Sequence, residues 1–158
     1  MPKQDLGQNV WYDPDTNGYI GLDVTDYIQT QEQQIIEGIL LLPKNEHHCS
    51  LVAVHRYVKD QVKEQMIADA VRDYLSAHSL RVVSLGNDRY LCRKDGRTTV
   101  IAPIEVAGSE ALRAFVATLI PKYQPLFSHV TLLKSEATEF GIGINTMSEL
   151  DQLCKKLS

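Results

Sequence analysis

The chain has 158 residues, 44% of them hydrophobic, with 16 basic against 20 acidic side chains and a formal net charge of −4. That length suits one domain, 1–158, with a full core, and the acidic balance argues against a protein that grips long nucleic acid by its backbone, which normally needs a basic face. No run approaches the roughly 20 apolar residues of a membrane span; the cysteines Cys49, Cys92 and Cys154 form no disulfide-rich pattern, so the expectation is a reduced, cytoplasmic protein, in a host cytoplasm if virus-encoded.

Residues 1–18, with Asp13-Pro14-Asp15 and Asn17-Gly18, read as an irregular N-terminal arm or turn. Residues 19–24 alternate as a strand, and the Gln-rich stretch 26–38 reads as a helix carried by Tyr27, Ile28, Ile35 and Ile36. The apolar run 39–42 fits a strand or a helix end and stops at Pro43. A strand is expected over 49–55, then a helix over 60–78, where Val62, Met66, Ala70 and Tyr74 recur every four residues beside Ile67, Val71 and Leu75. Residues 80–85 form a strand, a turn follows at 86–88, and 90–92 pairs back. Asp95-Gly96 marks a tight hairpin into a strand over 98–106. Ser109 reads as the N-cap of a helix whose stripe is Leu112, Phe115, Val116, Leu119 and Ile120, ended by Pro121 and Pro125. Strands follow at 129–133 and 141–144, and Thr146 with Glu149 opens a final helix through Leu157. Antiparallel strand runs with interspersed helices indicate an α+β sandwich.

Two tetrapeptides carry the chemistry: His48-Cys49-Ser50-Leu51 and, 81 positions on, His129-Val130-Thr131-Leu132. Each is histidine, any residue, hydroxyl residue, apolar residue, inside an expected strand. Side chains alternate faces along a strand, so His48 and Ser50 project together, as do His129 and Thr131, about 6.6 Å apart in each pair. With five histidines and 18 Ser plus Thr, composition alone produces two such copies only a few per cent of the time. Side by side, the strands would present two imidazoles and two hydroxyls to one phosphate-sized point, with no metal required. One histidine can be neutral and the other protonated near pH 7, and the hydroxyls can donate to nonbridging oxygens.

Competing sites are less well supported. Cys49 faces away from His48 on a strand, and a Cys-x5-Arg phosphate loop fails because His55 stands where Arg56 would be needed. His47 and His55 fall on the face opposite His48, and His78 suits a helix C-terminus. No zinc spacing, glycine-rich phosphate loop or dinucleotide fingerprint is present, so neither metal nor cofactor is expected. Trp11, Tyr12 and Tyr19 are candidates to stack on a substrate base, as are Tyr57 and Phe127.

The paired motifs in a small α+β chain resemble the two-histidine phosphoesterase superfamily, the LigT-like proteins. The resemblance implies a bilobal fold of duplicated antiparallel β-sheets, with helices on the outer faces and a central cleft. It implies His48, Ser50, His129 and Thr131 as the catalytic set, with serine standing where threonine is commoner. The implied activity is metal-independent phosphodiester cleavage of a 2′,3′-cyclic phosphate, a cyclic or 2′–5′ or 3′–5′ linked oligonucleotide, or an RNA end. Some phage proteins of this class degrade cyclic oligonucleotide signals. The rival readings are a non-catalytic nucleotide or RNA-end binding module on the same fold, and an interaction protein whose histidines are incidental.

Overall fold

The computed structural model describes residues 3–15, 18–29, 31–124, 127–135, 142, 144 and 146–157. Gln4–Gly7 (β1) and Val10–Asp13 (β2) pair antiparallel around Gln8 and Asn9, both at positive φ, the turn geometry that matches strand twist. This corrects the expected irregular arm over 1–18. Leu6, Val10 and Tyr12 are buried, so the segment has an apolar face that a hairpin can bury. Tyr19–Asp23 (β3) adds to β2 in antiparallel register.

The helix expected over 26–38 is also corrected. A single 3-10 turn spans Thr25–Tyr27, and Gln34–Ile36 (β4) pairs with Ile39–Pro43 (β5). Glu37 and Gly38, at φ 52° and 80°, make the two-residue turn between them. The apolar residues counted for a helix never form a buried stripe: Tyr27 is 59% and Ile35 72% exposed. The open choice at 39–42 resolves as strand.

His48–Ala53 (β6) follows, with Val54–Arg56 in a 3-10 turn instead of continuing the strand to His55. Gln61–Leu75 (α1) is capped by Asp60, whose carboxylate accepts from the N–H groups of Val62 and Lys63. Its buried face is Glu64, Ile67, Ala68, Val71 and Leu75. The expected Val62 and Met66 are instead exposed. Arg81–Leu85 (β7), Arg89–Lys94 (β8) and Arg97–Ala107 (β9) come next, with Asp95 and Gly96 at positive φ in the predicted hairpin. β8 pairs with the first half of β9 and β7 with the second half, so the expected return of 90–92 onto the preceding strand is replaced by two pairings to one long strand.

Ser109–Ala117 (α2) starts one residue after Gly108, which occupies the cap position at φ 92°. Ser109 is therefore the first helical residue, and its hydroxyl donates back to the Val106 carbonyl. Leu112, Val116 and Ile120 are buried as expected, whereas Leu119 is exposed. His129–Lys134 (β10) carries the second motif. The strand expected at 141–144 lies outside the described residues apart from Ile142 and Ile144, both buried. Met147–Leu153 (α3) begins at Thr146, whose hydroxyl accepts from the Glu149 N–H. The chain then leaves the helix early: Cys154–Leu157 (β11) pairs with β8 and sets Cys154 opposite Cys92. The two are joined by a disulfide with S–S 2.07 Å, which corrects the expectation of three reduced thiols and leaves Cys49 as the buried free cysteine.

The result is a mixed α+β chain, mostly antiparallel sheet, with three helices among the described residues. Strand order is β1-β2-β3-β6-β10-β9-β8-β11, with β5 also on β10, β4 on β5 and β7 on β9. The two motif strands are neighbours at its centre. Among the described residues no helix is long and apolar enough to cross a membrane.

β6 and β10 share the same burial pattern along all six residues and the same irregularity. In each, the motif leucine is passed over in the register to the outer neighbour: Leu51 between the rungs Ser50–Gly21 and Val52–Ile20, Leu132 between Thr131–Ile101 and Leu133–Val100. Such a bulge inverts the alternation beyond it. Val52 and Leu133, which strict alternation would put on the histidine face, consequently join the main core with Cys49, Leu51, Val130 and Leu132. α1 and α2 contribute to that core, on the face away from the histidines. A smaller cluster of Ile101, Cys92, Ile142, Ile144 and Leu150 covers β8 and β9 on the histidine face.

Candidate functional site

Cys49 lies directly opposite Val130 in the antiparallel β6–β10 pair. Continuing that register one residue each way sets His48 against Thr131 and Ser50 against His129, all on one face. Opposed residues in such a pair have Cβ atoms about 4.5–5.5 Å apart, and diagonal ones about 7–8 Å. The four expected residues are therefore brought together, with the histidines on the diagonal. All four are half-buried, whereas the intervening Cys49 and Val130 are fully buried.

The two imidazoles are held differently. His129 Nδ1–H donates to the Phe127 carbonyl at 2.9 Å, because a carbonyl can only accept. That bond leaves Nε2 as the lone-pair nitrogen of the neutral ring. Burial is the largest influence on His129 and pushes its pKa below the ordinary histidine value; the Phe127 bond opposes this, and the charges of His48 and Arg113 reinforce it. His48 Nδ1 instead bonds a Glu46 carboxylate oxygen at 2.9 Å, which orients the ring. The bond to His48 is also what chiefly lowers the Glu46 pKa. Tyr19 Oη stands 3.4 Å from His48 Nε2, and burial raises the Tyr19 pKa to about 12, so its hydroxyl stays protonated.

Trp11 pairs with Gly21 across β2–β3, and Gly21 is opposite Ser50. A Cβ on Gly21 would stand 2.7 Å from the Trp11 ring, so only glycine lets the indole lie there. The indole meets Tyr19 and His48 edge-on, with centroids 5.2 and 5.5 Å away. Phe127 flanks the other histidine, nearly parallel to His129 at 5.8 Å. Beyond Phe127, a cavity of about 610 Å³ opens between the end of β9, the start of α2 and Met147, a volume in the range of small-molecule sites.

Of the expected stacking residues, Trp11 and Tyr19 border the site. Tyr12 does not: it alternates to the core, is 2% exposed, and its hydroxyl donates to Glu64 Oε1 at 2.5 Å. A stacking role for Tyr12 is corrected accordingly. Tyr57 bonds the Gln124 carbonyl away from the motif face. His55 lies 3.0 Å from buried Glu64, and His78 bonds the Tyr74 carbonyl at the end of α1, structural placements that match their reading from sequence.

Arg113 escaped the sequence reading. Its place in the apolar stripe of α2 gave no hint that it would be 5% exposed beneath the site. Nε and Nη2 donate to the carbonyls of Leu51 and Ser50 at 3.2 Å each, and Nη1 to Ser128 Oγ at 2.7 Å. The β6 bulge disturbs the ladder at these carbonyls, and one guanidinium satisfies both while tying β6 to the residue preceding His129. Glu46 was likewise missed; it lies two positions before His48 in the β5–β6 connection. Among the described residues no three His, Cys, Asp or Glu side chains form a metal-binding group.

The fold and site together define a mixed α+β, mostly antiparallel protein with two histidine–hydroxyl pairs on adjoining central strands. No family model, curated protein or solved structure matches this chain.

Proposed function

We propose that this protein is a metal-independent phosphodiesterase of the two-histidine, LigT-like kind, acting on a small cyclic or 2′–5′ or 3′–5′ linked nucleotide or oligonucleotide. The observation that carries the reading is the Cys49–Val130 rung, which gathers His48, Ser50, His129 and Thr131 on one face. Under the same reading the molecule is a duplicated, bilobal fold: each half centres on one motif strand, bulged at its leucine, and the substrate lies in the cleft between halves. The matching burial and matching bulges of β6 and β10 support that duplication.

In this mechanism His129 is the general base. Its Nε2 lone pair takes the proton of the attacking water or ribose hydroxyl as the new P–O bond forms. His48, oriented by Glu46, gives its Nε2 proton to the leaving oxygen as the old P–O bond breaks. Ser50 and Thr131 donate to the nonbridging oxygens, whose charge grows in the transition state. Each positioned proton-transfer group is worth roughly 10²–10⁴ in rate.

The test is hydrolysis of cyclic mono-, di- and trinucleotides and a 2′,3′-cyclic RNA end, with EDTA present. Cleavage of at least one is expected. Ligand-dependent rise in Tm without turnover of any would replace the enzyme with a binding module.

A further inference from the structure

The histidine face continues past Thr131 into a patch of positive charge. Beyond the Leu132 bulge, Leu133 returns to the core and Lys134 points to the same face as Thr131 and His129. Lys134 pairs with Leu42 of β5, and Leu133 with Pro43. Leu41 and Leu133 both belong to the main core, so along β5 and its extension Leu42 and Lys44 take the opposite, histidine-bearing side. Lys44 and Lys134 are thus diagonal neighbours across the β5–β10 pair, close enough for long side chains to converge.

Both lysines are half-buried, and among the described residues neither is ion-paired. The nearby carboxylate of Glu46 is engaged by His48. A third cation closes the series: Lys3 Nζ sits 4.1 Å over the Trp11 ring, which itself touches His48. Lys44 is held below the ordinary lysine value, first by burial and then by the charges of Lys134 and Lys3 against that of Glu46. Like charges gathered in a partly desolvated place destabilise the empty protein and favour an anion that bridges them.

We infer that Lys44, Lys134 and Lys3 form a second phosphate subsite beside the two histidines, so that the substrate carries at least one phosphate besides the one cleaved. This deepens, and rests on, the phosphodiesterase reading. Lys134 is three residues beyond Thr131, on the order of 10 Å along the strand, and a lysine stem can bring its ammonium back toward the neighbouring phosphate of a nucleotide chain. Trp11, between Lys3 and His48, would lie against the intervening sugar or base. The class selected is an oligonucleotide, linear or cyclic, over a 2′,3′-cyclic mononucleotide.

The test is equilibrium binding, which does not depend on turnover. Wild-type protein is titrated with adenosine monophosphate and with a 5′-phosphorylated diadenylate carrying a non-hydrolysable methylenephosphonate linkage. The two-phosphate ligand should bind roughly ten-fold tighter or more, and the advantage should shrink as salt is raised to about 0.5 M. In Lys44→Met/Lys134→Met the ratio should fall toward one. Should that pair fail to fold by circular dichroism, the exposed Lys3→Ala should lower the ratio a few-fold, and the wild-type salt series still decides. Equal affinity for the two ligands, binding of neither, or a ratio unmoved by the substitutions would overturn the subsite. A retained two-phosphate preference with no hydrolysis of any nucleotide would sink the catalytic reading and leave the subsite standing; hydrolysis without the preference would do the reverse.

Discussion

Replacing Arg113 by methionine tests how the two halves of the site are tied together. Methionine keeps much of the apolar stem but removes three donors, at 2.7, 3.2 and 3.2 Å from their acceptors. The Ser50 and Leu51 carbonyls then lose a charge-assisted partner in a buried place, at about 1–3 kcal/mol for each unsatisfied group. Tyr123 Oη, 3.4 Å from the Leu51 carbonyl, recovers part of one. Relief of the buried guanidinium's desolvation offsets some of the rest, leaving a net loss of about 2–4 kcal/mol. Urea unfolding reads this directly: with a slope of about 1–3 kcal/mol per molar, the midpoint should fall by about 1 M or more. At temperatures where the variant remains folded, turnover should still drop, because the freed carbonyls flank the Ser50 hydroxyl. The acid limb of its pH–rate profile should move to higher pH, since the Arg113 charge helps hold the His129 pKa down. An unchanged midpoint together with full activity would refute the reasoning.

Gly21→Ala should push the indole off its seat, because the added Cβ meets the Trp11 ring at 2.7 Å; the chain's single tryptophan reports this as a shifted emission maximum and stronger acrylamide quenching, and an unaltered spectrum would contradict the packing. Stability should fall as pH drops below the ordinary histidine range: His47, 3% exposed with neither ring nitrogen bonded among the described residues, and His129 both have pKa values lowered chiefly by burial. The unfolded chain then binds protons the folded one refuses, so unfolding becomes easier by up to about 1.4 kcal/mol per pH unit for each proton; His47→Phe should flatten that slope, and an identical slope would exclude His47 as a source. The rate should rise with pH on the acid side of the ordinary histidine value as His129, its pKa lowered chiefly by burial, becomes neutral, within a bell-shaped profile that one base and one acid require. A flat profile from about pH 5 to 9 would argue against paired acid–base work.

The motif strands could be read from the sequence because each repeats histidine, hydroxyl and leucine on a short local pattern, and local patterns survive into structure. Thr146 with Glu149 and Asp95-Gly96 were legible for the same reason. What failed depended on partners distant in sequence. Residues 34–36 and 39–43 become strands because Glu37-Gly38 turns them against each other and β10 accepts β5, neither of which a Gln-rich helical reading contains. Cys154 is separated by 62 positions from Cys92, and only the unforeseen β11 brings them together. The leucine bulges decide which residues leave the histidine face, yet Leu51 and Leu132 look like ordinary strand positions. Arg113 was hidden by its helix, whose apolar stripe drew attention to Leu112 and Val116.

The central claim is that His48 and His129 work on one phosphorus from opposite sides of a shared face. The most direct measurement is single-turnover cleavage of whichever nucleotide the wild type hydrolyses, in His48→Ala, His129→Ala and the double variant, each verified as folded. Each single substitution should slow the chemical step by roughly 10²–10⁴, with the double variant little worse than the singles because the pair acts as a unit. Wild-type rates in either single variant would contradict the account.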